Sequence, residues 1–409
     1  MLALPARMDL ISEPDNTRPA VNSSVKKYVK DAFLFLISTG MRRSYIDDKL
    51  DGHAFIVNLA PMSNSTSPPR TKERDSLKCM PKVELHCHLE LAFRASTLQR
   101  WACDMGMDVG TRETFNKAFL VQEPMQDLPS VLHKFLNTRD VIDTEEKVER
   151  LAFEVCEDMH LQSNVRVLEL RYAPSFLLDV HPAMNADRML EAILRGIRRA
   201  ESAYPMVVGL IGLLQRIKSV DENTRWCDWI LERKEHFVGV DLADDEVAHP
   251  AEPFAPLFRK AKSQGLGITV HAGEPNVSGA AKNIWVAIDE LGADRIGHGV
   301  QAIHDDVLIE RLARECIPLE LCPWSNVLTQ AVPNLAMHPF KALMDRGVQT
   351  TLNTDDPGVM DVTLLDECHH MMQHQGMTLS DLAQCNDWAR RASFIPKERV
   401  AKVWPSPLP

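Results

Sequence analysis

The chain has 409 residues, 45% of them hydrophobic, with 46 Lys and Arg against 57 Asp and Glu for a formal net charge of −11. That apolar content can bury the core of one large domain or two ordinary ones, while the interspersed acidic excess leaves no basic stripe for a nucleic acid. No run approaches the ~20 apolar residues that span a bilayer, and nine cysteines without a CxxC pair read as free thiols of a cytoplasmic protein rather than a disulfide framework.

The first 78 residues differ in composition from the rest. NTRPAVNSSV (16–25) and SNSTSPPRTKERDS (63–76) are rich in Ser, Pro and Asn, which predicts a disordered or loosely attached extension. AFLFLIS (32–38) follows Lys26, Lys27 and Lys30, but it begins too far from Met1 and lacks the small-residue cleavage pattern of a signal peptide. Met62 offers a second plausible start. Residues 79–409 are expected to form the folded domain.

From there, short β-rich apolar runs alternate with helical patterns. Strands are expected at 83–89, 165–173, 206–214, 237–243, 267–273, 295–300, 317–323 and 349–355. Between the first two, a long connection over 104–140 predicts lid helices, and Asp143 with Glu146 suggests a capping box opening an amphipathic helix. Further helices are expected at 187–203, 281–291 and 305–315. Eight strands alternating with helices over about 330 residues point to an α/β (β/α)8 barrel, a TIM barrel, whose reactive groups project from the C-terminal strand ends. An open doubly wound sheet would instead want a glycine-rich phosphate turn after its first strand.

This chain puts histidines there. In VELHCHLEL, His86 and His88 point to the same face of the strand and Cys87 to the other. Alone, such a pair is weak evidence. The strand-five end adds His271 and Glu274, strand six adds His298 between Gly297 and Gly299, and strand eight ends in Asp355 and Asp356. Singly, these residues have ordinary readings as a core histidine, a solvated carboxylate, a capping group or a turn. In a barrel they converge on one mouth, where three histidines and an aspartate can meet a single ion, a donor set that suits catalytic Zn2+. Glu274 is placed to act as a general acid, and His298 to take a proton from water activated at the metal. One of the paired aspartates can reach the ion while the other hydrogen-bonds substrate. The chemistry so outlined is hydrolytic deamination or a related hydrolysis.

PKVELHCHLE, LELRYAP, VDLA followed by DE, TVHAGE, RIGHGV, CPWSN and LNTDDPG stand in the order and spacing of the adenosine deaminase family, and the resemblance covers about residues 79 to 405. It implies a barrel enzyme with one Zn2+ per chain that converts a 6-aminopurine to its 6-oxo counterpart and releases ammonia. Carried over, it implies His86, His88, His271 and Asp355 as zinc ligands, Glu274 as proton donor to purine N1, and His298 as the group that activates or orients water. Asp356 would hydrogen-bond N7, and Glu90 would face the ribose 5′ end. The small zinc deaminases that act on free or flipped bases carry an HxE with PCxxC signature, which is absent here.

Two departures bear on substrate. Leu91 follows Glu90 where the family usually has Gly, and Asp244 stands where a Gly backbone commonly meets the purine N3 edge. Neither touches the metal or proton-transfer groups. Adenosine and 2′-deoxyadenosine are the expected substrates of a monomer or small homo-oligomer; free adenine, 5′-methylthioadenosine and N6-methyl-AMP are alternatives. An acidic mouth with Glu90, Asp244 and Glu246 argues against a 5′-phosphate. A silent purine-binding relative would normally have lost a ligand or Glu274, and none is missing. Phe93, Met125 and Trp324 are candidates for a hydrophobic wall or lid, or for ordinary core.

Overall fold

The computed structural model describes residues 71–125 and 128–404. Eight strands run in chain order and pair in parallel, each with the next: β1 Lys82–His88, β2 Val165–Tyr172, β3 Val207–Gln215, β4 Phe237–Ala243, β5 Gly267–Ala272, β6 Arg295–His298, β7 Leu319–Leu321 and β8 Thr350–Leu352. The ring closes beyond β8. His88 N donates to Asp355 O and Asp355 N to His86 O, each at 2.9 Å, so the closing bridge lies among the residues of interest. The sequence pattern thus yields the (β/α)8 barrel it predicts. β7 and β8 are shorter than expected because their predicted C-terminal residues leave the ladder to build the mouth.

Such strands are covered on both faces, and β3 is buried over its whole length. The outward faces join the helices in one large hydrophobic cluster that includes Cys87, Leu168, Leu170, Val240 and Ile268. The interior differs from what the apolar runs suggest. Glu84, Glu169, Arg171, Asp241, Arg295 and Glu320 come from five strands and are almost wholly buried, and all but Glu84 join in ion pairs inside the barrel. Arg171 joins Asp241 at 2.7 Å and Glu320 at 2.8 Å; Arg295 joins Glu320 at 2.5 Å and Glu169 at 2.7 Å.

Most of the expected extension lies outside the described residues. Its end, Thr71–Cys79, is a helix, and buried Lys82 Nζ donates to Leu77 O at 2.6 Å and Met80 O at 3.0 Å, satisfying carbonyls at that helix's C-terminus. The β1–β2 connection holds Ala95–Asp104, Arg112–Phe119, Leu128–Val141 and Glu145–Ser163. Val121 N donates to Val359 O at 2.8 Å and Met125 N to Leu328 O at 2.9 Å, tying this segment to the segments following β8 and β7. The last helix is capped by Thr144, not Asp143: Thr144 has extended backbone (φ −138°, ψ 155°) and its hydroxyl accepts from Lys147 N, whereas Asp143 Oδ1 pairs with Lys147 Nζ at 2.7 Å. No helix among the described residues is long and apolar enough to cross a membrane.

Candidate metal centre and active site

β1 delivers His86 and His88, β5 delivers His271, and the turn after β8 delivers Asp355. One donor atom from each of the four lies within 4.8 Å of every other. His86 Nε2 is 3.1 Å from His271 Nε2 and 3.2 Å from Asp355 Oδ1, and His88 Nε2 is 3.3 Å from the same oxygen. Close approach is possible because Gly297 of β6 has no Cβ; one there would lie 3.1 Å from His86 Cε1 and 3.2 Å from His271 Cα.

The far sides of the rings decide what the near sides can hold. His86 Nδ1 lies 2.9 Å from Glu320 Oε2, and His271 Nδ1 lies 3.0 Å from Asp241 Oδ2. Both carboxylates also bind Arg171 and are held well below the usual carboxylate range: burial opposes this, but Arg295 and Arg171 prevail at Glu320, and His271 and Arg171 at Asp241. As acceptors they place the ring proton on each Nδ1, leaving the two Nε2 lone pairs facing one another. Lone pairs facing one another at 3.1 Å repel unless a proton or a metal cation lies between them. Burial pushes His88 down and His271 well below the ordinary histidine range, so they favour the neutral form that binds metal. At His86 burial and Arg171 push the same way, but Asp355 and Glu320 reverse the sign and draw positive charge to the ring. Three imidazoles and a carboxylate are donors that suit a metal ion such as Zn2+, and the residues fit one ion.

Around this centre stand the other groups expected at the strand ends. His298, at φ +59°, and Asp355, at φ +66°, occupy the left-handed region, a conformation costly for non-glycine residues and typical of functional turns. His298 Nε2 lies 3.7 Å from Glu274 Oε2 and 3.8 Å from Asp355 Oδ2. Ser325 Oγ donates to Asp355 Oδ2 at 2.6 Å, and Thr329 Oγ1 to Glu274 Oε1 at 2.9 Å. Asp356 is buried and its Oδ1 has no hydrogen-bond partner. Burial, with Asp355 and Glu274 nearby, pushes its carboxyl well above the usual range, which favours the protonated form that can donate. Glu90, in the 3-10 turn Leu89–Leu91, accepts from Ala173 N at 2.8 Å, and burial pushes it up to about 7.

The two departures resolve differently. Leu91 packs partly buried against the main hydrophobic cluster, and its carbonyl receives Gly358 N at 2.9 Å and Val359 N at 3.2 Å. Asp244 is exposed and holds φ +81°, the region glycine adopts without strain. Glu246, expected as an acidic group of the mouth, is buried instead. It accepts from Gly273 N and Glu274 N, both at 2.8 Å, and from Asn283 Nδ2 at 2.7 Å, because two free amides after β5 need an acceptor. Phe93 is core, and Trp324 and Met125 pack against that same core.

Sequence reasoning missed the groups that orient the candidate ligands His86 and His271: Asp241, Glu320 and Arg171, and Arg216, whose Nη2 donates to His271 O at 2.6 Å. The available signal was a charged residue or two inside an otherwise apolar strand, in VDLA, LEL and LELRY. Such a charge is rarely buried without a partner.

A family profile described as adenosine deaminase matches residues 81–405. The chain is similar to an adenosine deaminase of Erwinia tasmaniensis, 33% identical over 330 residues that cover 79% of this chain and 97% of that protein. It resembles in structure an amidohydrolase from Burkholderia ambifaria with bound Zn, with a TM-score of 0.73 and 26% identity, covering 83% of this chain and 92% of that one. It also resembles the apo N6-methyl-AMP deaminase of Arabidopsis thaliana, with a TM-score of 0.70 and 26% identity over 81% of this chain and 96% of that one. The matched span runs from the first barrel strand to the last helix, so the chain belongs to the adenosine deaminase family and is a hydrolytic deaminase.

Proposed function

We propose that the protein uses one Zn2+ to deaminate adenosine and 2′-deoxyadenosine, adding water at C6 and releasing ammonia to give the 6-oxopurine nucleoside. The observation that carries this reading is the approach of His86, His88, His271 and Asp355 to one point, with Glu274, His298 and Asp356 beside it. These four side chains would hold the ion, which supplies Lewis acidity that lowers the pKa of a water. Glu274 delivers a proton to N1, which localises the ring π-system and makes C6 electrophilic. Asp356, whose carboxyl burial pushes well above the usual range, donates in its protonated form to N7, an acceptor that a carboxylate would repel. His298 orients the attacking water, and Glu90 meets the sugar end. All nine cysteines are unpaired, which supports a cytoplasmic protein.

A second reading keeps the chemistry and changes the substrate to free adenine, 5′-methylthioadenosine or an N6-modified adenine nucleotide. Glu90 favours it, since its extra methylene relative to Asp narrows the sugar end. Purified, zinc-loaded protein incubated with adenosine, deoxyadenosine, adenine, methylthioadenosine and N6-methyl-AMP should consume the first two fastest, followed by loss of the 6-amino chromophore. Turnover of none of them refutes the reading. Glu274→Gln should keep its zinc and lose about 10²–10⁴-fold in kcat.

A further inference from the structure

Behind His298 lies a chain of hydrogen bonds whose direction can be read from its far end. Phe340 N donates to His338 Nδ1 at 3.1 Å. A backbone amide is always a donor, so His338 Nδ1 carries no proton. Burial pushes this histidine down to about 3, so the ring is neutral and its proton lies on Nε2. That nitrogen is 3.1 Å from Asn326 Oδ1, which must therefore accept, and this fixes which end of the amide is which. Asn326 Nδ2, now necessarily a donor, lies 3.1 Å from His298 Nδ1 and 3.5 Å from Glu274 Oε1. His298 Nδ1 is thus an acceptor. Asn326, His338 and His298 are all buried, so no bulk water competes for these bonds.

We propose that Asn326 and His338 are positioning residues that hold the ring proton of neutral His298 on Nε2, so that His298 presents an N–H donor to the reacting water. This deepens the deaminase reading and rests on it for the role of His298. It also decides between the two roles the sequence leaves open for that residue, orienting water or taking its proton. Neutral His298 in this hydrogen-bonded frame has no lone pair free on Nε2. The same Asn326 amide, together with Thr329, directs N–H and O–H groups at Glu274 Oε1, so a proton on this carboxyl belongs on Oε2, the oxygen 3.7 Å from His298 Nε2.

The test is the ring-nitrogen spectrum of zinc-loaded protein carrying 15N-labelled histidine, with His298 identified by its loss in His298→Asn. In the wild type both His298 and His338 should show a protonated Nε2 and a bare Nδ1. In Asn326→Asp the carboxylate can only accept, so the His298 proton should move to Nδ1, with kcat falling about 10²–10⁴-fold, KM within roughly threefold and zinc retained. A wild-type His298 protonated on Nδ1 overturns the proposal. So does an Asn326→Asp enzyme whose tautomer is unchanged, whatever its activity, since its effect would then be structural. If Asn326→Asp fails to fold, the wild-type spectrum still decides. A wild type with the expected tautomers but no turnover of any aminopurine sinks the deaminase substrate reading and leaves the relay standing.

Discussion

Asp241→Asn isolates the contribution of a residue that never touches the ion. Asp241 accepts from Arg171 Nη1 at 2.7 Å and from His271 Nδ1 at 3.0 Å, and it is wholly buried. Asparagine keeps the volume but replaces one acceptor oxygen with an NH2 group. Arg171 holds Oδ2, and His271 Nδ1 lies 3.0 Å from Oδ2 and 3.1 Å from Oδ1; with the oxygen kept on Arg171 the NH2 takes the Oδ1 place, where it competes to drive the ring proton to Nε2, the nitrogen proposed to bind metal. Loss of such a partner typically weakens metal binding 10–100-fold, or about 1.4–2.7 kcal/mol. The fold should survive, because Arg171 keeps Glu320 at 2.8 Å and Leu85 O at 2.7 Å. The stability loss should therefore stay under the roughly 3–5 kcal/mol of a fully broken buried pair. Metal content measured by atomic emission after equilibration with graded chelator, beside circular dichroism of the same samples, gives both quantities. A metal affinity within twofold of wild type would refute the argument that Asp241 sets the His271 tautomer.

Two further outcomes follow from the same geometry. His338 has a folded pKa of about 3 against an ordinary value of 6.5, so between those values the unfolded chain binds a proton that the fold excludes, and stability falls as pH drops. Wild type should lose about 1 kcal/mol more than His338→Gln on going from pH 6.5 to 5.5, measured by denaturant unfolding; equal losses would place the ring in water. A Cβ at Gly358 would lie 2.5 Å from Phe93 N, 2.7 Å from Leu91 O and 2.8 Å from Phe93 O. These are backbone atoms that cannot rotate away, so Gly358→Ala should cost about 1–3 kcal/mol of stability and raise KM by displacing the turn that carries Glu90. An unperturbed unfolding midpoint would show that the loop yields.

Strand positions were legible because a buried parallel strand is a local apolar run, and all eight elements fall near the residues that pattern marks. The candidate metal-binding residues were legible because HxH, HAGE and TDD are polar interruptions at the ends of such runs. The charged barrel interior was not. Arg295 pairs with Glu169 across the ring and with Glu320 on the neighbouring strand, at separations of 126 and 25 residues, and no local periodicity encodes such pairings. Glu246 misled for the same reason: its sequence neighbours are acidic and polar, while its actual partners are amides on the next strand's loop.

Taken alone, the amino-acid order determined which segments become strands, which faces they bury, and which side chains stand at their C-terminal ends, since each depends on period and composition over a few residues. Tertiary closure decided the rest. Only when β1 meets the turn after β8 do His86 and Asp355 approach, only then do Glu320 and Asp241 turn both imidazole lone pairs inward, and only the packing of His338 against Asn326 orients the ring proton of His298. Those are properties of distance and direction between residues far apart in the chain, and they exist only once the barrel is shut.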